Sequence, residues 1–454
     1  MATAYQIHVL APDTGLLAVE QDEATAAKVT ELLQRDLERH HVFFNAAGFH
    51  NHILHQLLAL YGTGAAPDLL QQAYDKNEAY QVKAMDTHST VVQELHDDWA
   101  ASAPKYLGKG RHFADFLAFF QRDIEHRGWR AVLTEYVFDD ASLRSADLRG
   151  RLFEGLLHPM IQLMYGVEWE QPAIVAEGLA QAAVHESRIG EFLSRVDKAA
   201  AAADADADAD AAASRPRRTL ADICETIRRD SEKLATSARW EDSNRDYHGV
   251  LTRAEDEAVA LLAQIRVSPD EVEERTAEMI HCAAYIAAAA SWNPPYIPKF
   301  DFFFIHHLTS APLFLVLNKH AAWIPAAARA RLLEWKLRLG CFEYFARGSP
   351  PLRLADALET YAPGDARPAA RPRDLLPRFH GFVDDGHIVK TVRALLLAQD
   401  VSRKWAGRPW IRIEADEAWL TVMYMLLRGV EGDEYEWVRS AGFKEAWEGI
   451  PKAT

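Results

Sequence analysis

The segment TRAEDEAVALLAQIRVSPDEVEERTAEMIHCAAY, residues 252–285, decides the fold class of this chain. Thr252 and Glu255 have the spacing of a capping box, and the apolar residues behind them recur at helical intervals. Ser268 then precedes a proline and two acidic residues. This order is typical of a helix start, because proline is tolerated in the first turn and acids favour the positive end of the helix dipole. The segment therefore predicts two consecutive helices, the second running through Tyr285.

Helical periodicity continues on both sides of this segment, whereas patterns typical of β-strands are sparse. We predict an all-α fold, a single large multi-helix domain over residues 1–454 that encloses a buried histidine-rich metal site. Residues 199–218, an Ala/Asp alternation followed by Arg and Pro, lack bulky apolar side chains and predict a mobile linker within the domain. A Pro- and Arg-rich loop is predicted over residues 348–377. Further helices are predicted over residues 23–40, 48–61, 67–80, 88–101, 112–127, 219–236, 325–346 and 387–404.

The composition limits the classes of partner. The chain has 66 acidic and 50 basic residues, a formal net charge of -16, so nucleic acid and anionic membranes are not expected partners. Three cysteines without CxxC spacing encode neither a disulfide framework nor a thiolate zinc site. The N-terminus resembles no signal peptide, and no long apolar run is present. We therefore expect a cytoplasmic protein that binds a small molecule; the oligomeric state stays open.

Histidines recur in apolar surroundings, where imidazole suits a transition metal. In FHNHILHQLL, His52 and His55 lie one turn apart and can face the same space, and His50 is an alternative. His158 precedes Pro159, which predicts a kink that could aim the imidazole inward. For any single histidine, a hydrogen-bonded role in the core is the commoner explanation, so the pattern indicates a metal site only when the segments are taken together.

Two further segments strengthen this pattern. The run DFFFIHHLTS places His306 in an apolar stretch, where burial requires a partner such as a metal or a carboxylate. In DDGHIVKTVRALL, Asp385 is the predicted N-cap, His387 lies in the first turn, and Lys390 follows three residues later on the same face. A lysine that faces an apolar interior tends to lose its proton, and a neutral amine can react with carbon dioxide to give a carbamate.

Other chemistries have weaker sequence support. Glu38-x-x-His41 and Glu278-x-x-His281 have the spacing of di-iron carboxylate sites, although the pattern is short and common. The sequence has no GxGxxG, GxxxxGK[ST], HExxH or GxSxG motif, so a flavin or nicotinamide bound in a Rossmann unit is not indicated.

Four blocks of this sequence, in order, resemble the questin oxidase-like family of fungal polyketide pathways. They are FHNHILHQLLALYGTGAAPDLLQQAYDKNEAYQ, LLHPMIQLMYGVEWEQP, KFDFFFIHHLTSAPLFLVL and DDGHIVKTVRALL. The resemblance covers about residues 40 to 430. It implies an oxygenase that opens rings of anthraquinones or related aromatic polyketides in a Baeyer-Villiger-like oxidation, without a classical flavin domain.

The resemblance also implies the site. Family members are expected to hold one non-haem iron, Fe(II) that reacts with molecular oxygen, by four histidines and a carboxylated lysine. One departure is Gln162, which stands where the family usually has a histidine. The matching positions in this chain are His52, His158, His306 and His387, with Lys390 as the carboxylated lysine and His50 and His55 as alternates.

Three aromatic residues, Trp292, Tyr296 and Phe303, are candidates for a pocket that stacks on a polycyclic substrate. NADPH stays open as the reductant. Two alternatives also stay open: a metal-free or NADPH-dependent Baeyer-Villiger-type oxidase whose histidines act as acids and bases, and a non-catalytic helical binding protein.

Overall fold

A computed structural model describes residues 1–45, 49–205, 218–364, 368–432 and 437–453. Within these residues the regular structure is helical, with isolated β-bridges and no β-strand, so the all-α prediction is confirmed. The helices are α1 (Glu23–Arg39), α2 (Ile53–Tyr61), α3 (Pro67–Glu78), α4 (Ser89–Asp97), α5 (Trp99–Tyr106), α6 (Phe113–Arg127), α7 (Trp129–Leu133), α8 (Leu143–Arg151), α9 (His158–Glu168), α10 (Pro172–Val184), α11 (Arg188–Ala205), α12 (Leu220–Asp230), α13 (Glu232–Ala235), α14 (Leu251–Arg253), α15 (Glu255–Leu262), α16 (Val272–Ala290), α17 (Phe302–Thr309), α18 (Pro312–Lys319), α19 (Ala326–Ala346), α20 (Leu354–Thr360), α21 (Leu376–His380), α22 (His387–Arg403) and α23 (Asp416–Val430).

The residues group into two compact units. The first unit comprises Met1–Glu191, Pro312–Arg329 and Leu376–Arg393, and the second comprises Phe192–Ala311, Ala330–Leu375 and Ala394–Thr454. The prediction of one domain over the whole chain stays a prediction.

The core of the first unit lies around α9 and α10, which pack against each other, while α10 also packs against α6. Almost every residue of α10 is buried, including Ile174, Val175 and Leu179. A helix that is apolar on all sides belongs in an interior, where each large aliphatic side chain contributes about 1.5–3 kcal/mol on burial. Helix α10 therefore forms a rigid centre behind α9, which carries one of the predicted ligands.

In the second unit, α16 is the most continuously buried helix and packs against α12, α17, α20 and α23. The three cysteines, Cys224, Cys282 and Cys341, are buried free thiols. This agrees with the expectation that they form no disulfide framework. Among the described helices, none is both long enough and apolar enough to cross a membrane.

Several predicted helix ends are wrong for local reasons. Thr252 does not cap a helix, because its hydroxyl donates to the Tyr247 carbonyl at 2.8 Å, and α15 begins behind Ala254. Ser268 bonds its hydroxyl to Asp270 and Glu271, so α16 starts only at Val272 and continues to Ala290. At Thr252 and at Ser268 the hydroxyl forms a local hydrogen bond within a turn, and this bond replaces the capping bond that would start a helix.

Three other predictions also need correction. Pro159 does not kink a helix: α9 begins at His158, so the proline occupies the first turn, where its missing N–H costs nothing. The predicted linker begins inside α11, which continues through Ala205, and residues 206–217 of it lie outside the described residues. The predicted loop 348–377 contains α20 and a short 3-10 turn, Pro372–Leu375.

Candidate metal centre

Three of the predicted ligands meet in the interior of the first unit. His52 is the N-cap residue of α2, and His158 and His387 are the first residues of α9 and α22. The ring of His52 stacks on that of His158 with centroids 4.9 Å apart, and it meets the ring of His387 edge-on at 4.7 Å. All three are buried, as is Lys390. We call these four residues the histidine centre.

The imidazoles of the histidine centre share one orientation. Nδ1–H of His158 donates to the Gly155 carbonyl at 2.6 Å, and Nδ1–H of His52 donates to a carboxylate oxygen of Asp385 at 3.2 Å. His387 donates from Nδ1 to the other oxygen of Asp385. Carbonyl and carboxylate oxygens only accept, so the proton of each neutral ring sits on Nδ1 and the lone pair on Nε2. Hydrogen bonds of this kind orient and tune metal-binding histidines.

Asp385 has a different role from the one predicted. The N-terminus of α22 is capped by Asp384, whose carboxylate accepts from Ile388 N–H at 2.9 Å. Asp385 instead accepts from the Nδ1 atoms of both His52 and His387. A bound cation would lie on the opposite side of each ring, at Nε2. Burial opposes ionisation of Asp385, but the nearby imidazoles outweigh it and hold the pKa of this carboxyl well below its usual range. The carboxylate thus supplies a permanent negative charge next to the centre.

The lone pairs of two rings converge. Nε2 of His52 lies 2.7 Å from Nε2 of His158, while the Nδ1 proton of each ring is committed to an oxygen. Two lone pairs at this distance repel each other unless a cation or an additional proton lies between them. Burial, and then Lys390, lowers the pKa of His52 to about 3, which disfavours the additional proton. The pair therefore has the chemistry of a metal site.

The amine of Lys390 completes the centre. Its Nζ is buried and has no hydrogen-bond partner in the described part of the chain. Burial lowers the pKa of this amine to about 8, against the opposing effect of Asp385 and Asp384. A buried donor without a partner costs about 1–3 kcal/mol, so its retention calls for an explanation. A carbamate at Nζ would convert this amine into an oxygen ligand, and imidazole together with carboxylate-like oxygen suits iron.

His50 and His55, the two alternates, differ in what their nitrogens do. The ring of His50 faces two carbonyls, those of Phe43 and Gly155. Nε2–H of His55 donates to Gln162 Oε1 at 2.7 Å, and its buried Nδ1 has no partner among the described residues. His55 therefore keeps a buried lone pair on Nδ1, and both alternates stay predictions.

Gln162, the departure from the family pattern, belongs to a buried chain of hydrogen bonds. Its Nε2 donates to Glu177 on α10 at 2.9 Å, while its Oε1 accepts from His55. Burial, and then the charge of Asp36, raises the pKa of Glu177 to about 8. The sequence analysis missed Glu177; a lone glutamate inside the apolar run of α10 was the available signal.

The backbone around the centre is conformationally restricted. Leu156 and Leu157, just before His158, adopt left-handed conformations with φ of 55° and 67°. Each non-glycine residue in this region costs about 1–2 kcal/mol, and such strain concentrates at functional sites. Gly386, just before His387, has φ of 94°, and a Cβ there would lie 2.6 Å from Gln56. Both segments thus fix an imidazole through backbone geometry that sequence periodicity does not reveal.

His306, the fourth predicted ligand, belongs to the second unit and lies in α17. It is buried, and its Nδ1–H donates to the Phe302 carbonyl at 2.6 Å, so its lone pair also sits on Nε2. It has the same protonation pattern as the histidine centre and stays a predicted ligand.

The aromatic candidates also lie in the second unit. Arg347 lies over the ring of Phe303 at 3.8 Å. Trp292 meets Tyr361 edge-on at 5.9 Å, and Tyr296 stacks on Trp447 at 5.7 Å. These contacts are those of packed side chains, and their role in a substrate pocket stays a prediction.

The di-iron alternative finds no support in the partners of its residues. Glu278 pairs with Arg275 and accepts from Leu220 N–H at 3.1 Å. His281 accepts from Arg412 N–H at 2.8 Å, and its Nδ1 donates to Ser402. Glu38 is exposed. Both nitrogens of His281 are therefore occupied by structural hydrogen bonds.

Comparison with known proteins supplies independent findings. The sequence model of a family described as questin oxidase-like matches residues 49–395. A questin oxidase from Aspergillus fumigatus is 35% identical over 99% of this chain and 100% of its own length. A Baeyer-Villiger oxidase from Pestalotiopsis fici is 33% identical, covering 99% of each chain. An oxidoreductase from Aspergillus parasiticus is 34% identical over 96% of this chain and 86% of its own.

Proposed function

This chain belongs to the questin oxidase-like family and is an oxidoreductase, and we propose that it is a non-haem iron-dependent oxygenase that opens a ring of an anthraquinone or related aromatic polyketide. The reaction type rests on the relatives named Baeyer-Villiger oxidase, and the substrate class on those named questin oxidase. We transfer the reaction type and the substrate class to this chain because these relatives match nearly its full length.

One observation is the main support for bound iron. Nε2 of His52 and Nε2 of His158 lie 2.7 Å apart, while the Nδ1 proton of each ring is donated to an oxygen. The residues that would hold the ion are those of the histidine centre, with Lys390 as its carbamate. His306 is the further ligand that the family resemblance predicts. The unpartnered Nζ of Lys390 supports this assignment.

When bound, iron would supply the activation of dioxygen that an aromatic ketone or hydroquinone lacks. Asp385 holds the rings of His52 and His387 in one tautomer and offsets part of the added positive charge. The rings of His52, His158 and His387 are buried, which strengthens each electrostatic interaction among them.

The overall reaction must balance in electrons. In a Baeyer-Villiger-type oxidation, one oxygen atom is inserted between a ring carbonyl carbon and its neighbour to give a lactone, and the other atom leaves as water. Hydrolysis of the lactone by a water molecule then opens the ring. Each turnover therefore consumes two electrons and two protons in addition to dioxygen. We assign the electrons to a reduced nicotinamide, NADPH, or to a hydroquinone form of the substrate.

The test is oxygen consumption with a panel of anthraquinones and their hydroquinones, with and without NADPH. Each assay uses protein purified without oxygen, protein treated with a chelator, and chelated protein reloaded with Fe(II). We expect ring-opened product in which one oxygen, the inserted one, comes from labelled dioxygen. Its formation should be lost on chelation and restored by Fe(II). Equal turnover by chelated protein would contradict iron dependence and favour a metal-free oxidase. Absence of product from every substrate under all conditions would contradict the proposed substrate class.

A further inference from the structure

A second group of potential ligands lies in the first unit, outside the histidine centre. His88 is the N-cap residue of α4, His112 is the N-cap residue of α6, and Asp115 lies in the first turn of α6. One ligand atom from each of the three lies within 4.8 Å of the other two. We call these residues the surface trio.

Asp115 is the fixed point of the surface trio, because its carboxylate is almost completely buried. It accepts from the backbone N–H of His88 at 2.6 Å and from Nδ1 of His112 at 2.7 Å. Nδ1 of His88 lies 3.2 Å from each carboxylate oxygen. Two imidazoles thus turn the same ring nitrogen towards one carboxylate.

The surface trio is open on one side. The side chain of His88 is 61% exposed, whereas that of His112 is 10% exposed. Two imidazole nitrogens and a carboxylate oxygen form a donor set that Zn²⁺ takes, and Zn²⁺ with three protein ligands keeps a fourth position for water. The exposed side of His88 provides room for that water and a route for the ion.

From this arrangement we propose that the surface trio binds a divalent transition-metal ion such as Zn²⁺. The ligand atoms are Nδ1 of His88, Nδ1 of His112 and a carboxylate oxygen of Asp115. The ion takes the place of the ring proton on each Nδ1, and that proton moves to Nε2, so both imidazoles bind as neutral ligands. It ties the segment before α4 to α6 and stabilises the folded chain by mass action.

Arg111 holds the alternative, metal-free arrangement. Its Nε–H donates to Nε2 of His112 at 3.2 Å, so the proton of the neutral ring sits on Nδ1 and faces Asp115. A metal at Nδ1 moves the ring proton to Nε2 and breaks the bond from Arg111. Removal of the guanidinium therefore tightens metal binding, which a purely structural role of the trio does not predict.

The experiment measures Zn²⁺ binding to the metal-free full chain by competition with a chromophoric chelator. The variants are His88→Ala and Arg111→Ala. The matched control is His126→Ala, which removes an exposed histidine from the last turn of α6. Because His88 is exposed, its replacement leaves the core intact, and circular dichroism checks the fold. The histidine centre is unchanged in all variants, so differences among them belong to the surface trio.

We expect His88→Ala to bind one equivalent of Zn²⁺ fewer than wild type, His126→Ala to bind the same number, and Arg111→Ala to bind more tightly. Zn²⁺ should also raise the Tm of His126→Ala more than that of His88→Ala. Equal binding by wild type and His88→Ala would overturn the proposal. None of these readouts depends on iron or on oxygenase activity.

Discussion

Among the described residues three lysines are fully buried, Lys299, Lys336 and Lys390, and the last two differ in what their amines contact. Lys390, in the first unit, has no hydrogen-bond partner for Nζ among the described residues. Lys336, in the second unit, donates from Nζ to the His307 carbonyl at 3.0 Å and lies 3.1 Å from Nδ1 of His307. Both pKa values are lowered by burial, that of Lys390 to about 8 and that of Lys336 to about 7.

The environment of Lys336 accounts for its burial without any ligand. His307, next to it, lies 3.8 Å from the Glu343 carboxylate, and Glu343 pairs with Arg347. The amine is one member of a network whose charges are matched. It also lines a pocket of about 30 Å³, room for little more than a water molecule.

This comparison shows that a lowered pKa does not by itself identify a ligand. By pKa alone, Lys336 would be the better candidate for a carbamate, because more of its amine is neutral at a given pH. The hydrogen bonds give the opposite order: the amine of Lys336 is used, whereas that of Lys390 lies unpartnered beside imidazoles whose protons point away.

The largest expected effect is that of Lys390→Ala. Loss of an iron ligand should lower turnover by more than the roughly 10–100-fold that follows loss of a residue that only orients a ligand. Protein equilibrated with ¹³C-labelled carbon dioxide should show a carbamate signal by NMR in wild type and none in Lys390→Ala. The matched control is Lys336→Met, which also removes a buried amine. It should keep both the signal and the turnover, and loss of the signal in Lys336→Met alone would reverse the assignment.

The next largest effect is expected from Asp385→Asn. Asparagine has one side-chain oxygen, so it can accept from Nδ1 of His52 or of His387 but turns its amide N–H groups towards the other ring. In that ring the proton is no longer held on Nδ1. Turnover and iron affinity should each fall by about 10–100-fold.

Asp384→Asn is the control for Asp385→Asn, because it removes the same charge from the neighbouring residue. Its amide oxygen can still accept from Ile388 N–H, so it should cost less than the roughly 1 kcal/mol of a lost cap and cause a smaller loss of turnover. Equal losses of iron affinity in the two variants would show that charge alone, and not the hydrogen bonds of Asp385, matters.

The smallest effect on turnover is expected from Glu177→Gln, whose effect on stability depends on pH. The pKa of this carboxyl is raised from 4.5 to about 8 in the folded chain, so the unfolded chain ionises first as pH rises. Wild type therefore loses stability between pH 4.5 and about 8, at up to about 1.4 kcal/mol per unit of pH, and the glutamine variant avoids this loss.

Melting curves over this pH range measure the difference between Glu177→Gln and wild type. The variant should gain Tm relative to wild type as pH rises, with a plateau above about pH 8. A difference that does not change with pH would mean that Glu177 is already ionised in the folded chain.

The fold was largely predictable because its helices carry strong apolar periodicity. Helices α1, α3, α6, α19 and α22 begin and end within two residues of their predicted limits. The errors fall where a local hydrogen bond competes with a helical start, as at Thr252 and Ser268. Propensity patterns cannot rank two local alternatives that use the same side chain.

The centre was predictable in its residues and not in its geometry. The sequence blocks point to His52, His158 and His387, which the structure brings together. The Nδ1 partners depend on tertiary structure: Asp385 reaches His52 across 333 positions, and the acceptor for His158 is a backbone carbonyl. No residue pattern encodes such an acceptor, so the protonation of the rings followed only from the folded chain.

The most direct test of the central claim is the iron content, by elemental analysis, of protein purified without oxygen. Wild type is compared with His387→Ala and Lys390→Ala, and with Lys336→Met as the control for loss of a buried amine. The account predicts near-stoichiometric iron in wild type and Lys336→Met, and little iron in the other two. Wild type that neither contains iron nor takes it up on reconstitution, or variants at the centre that hold as much as wild type, would contradict it.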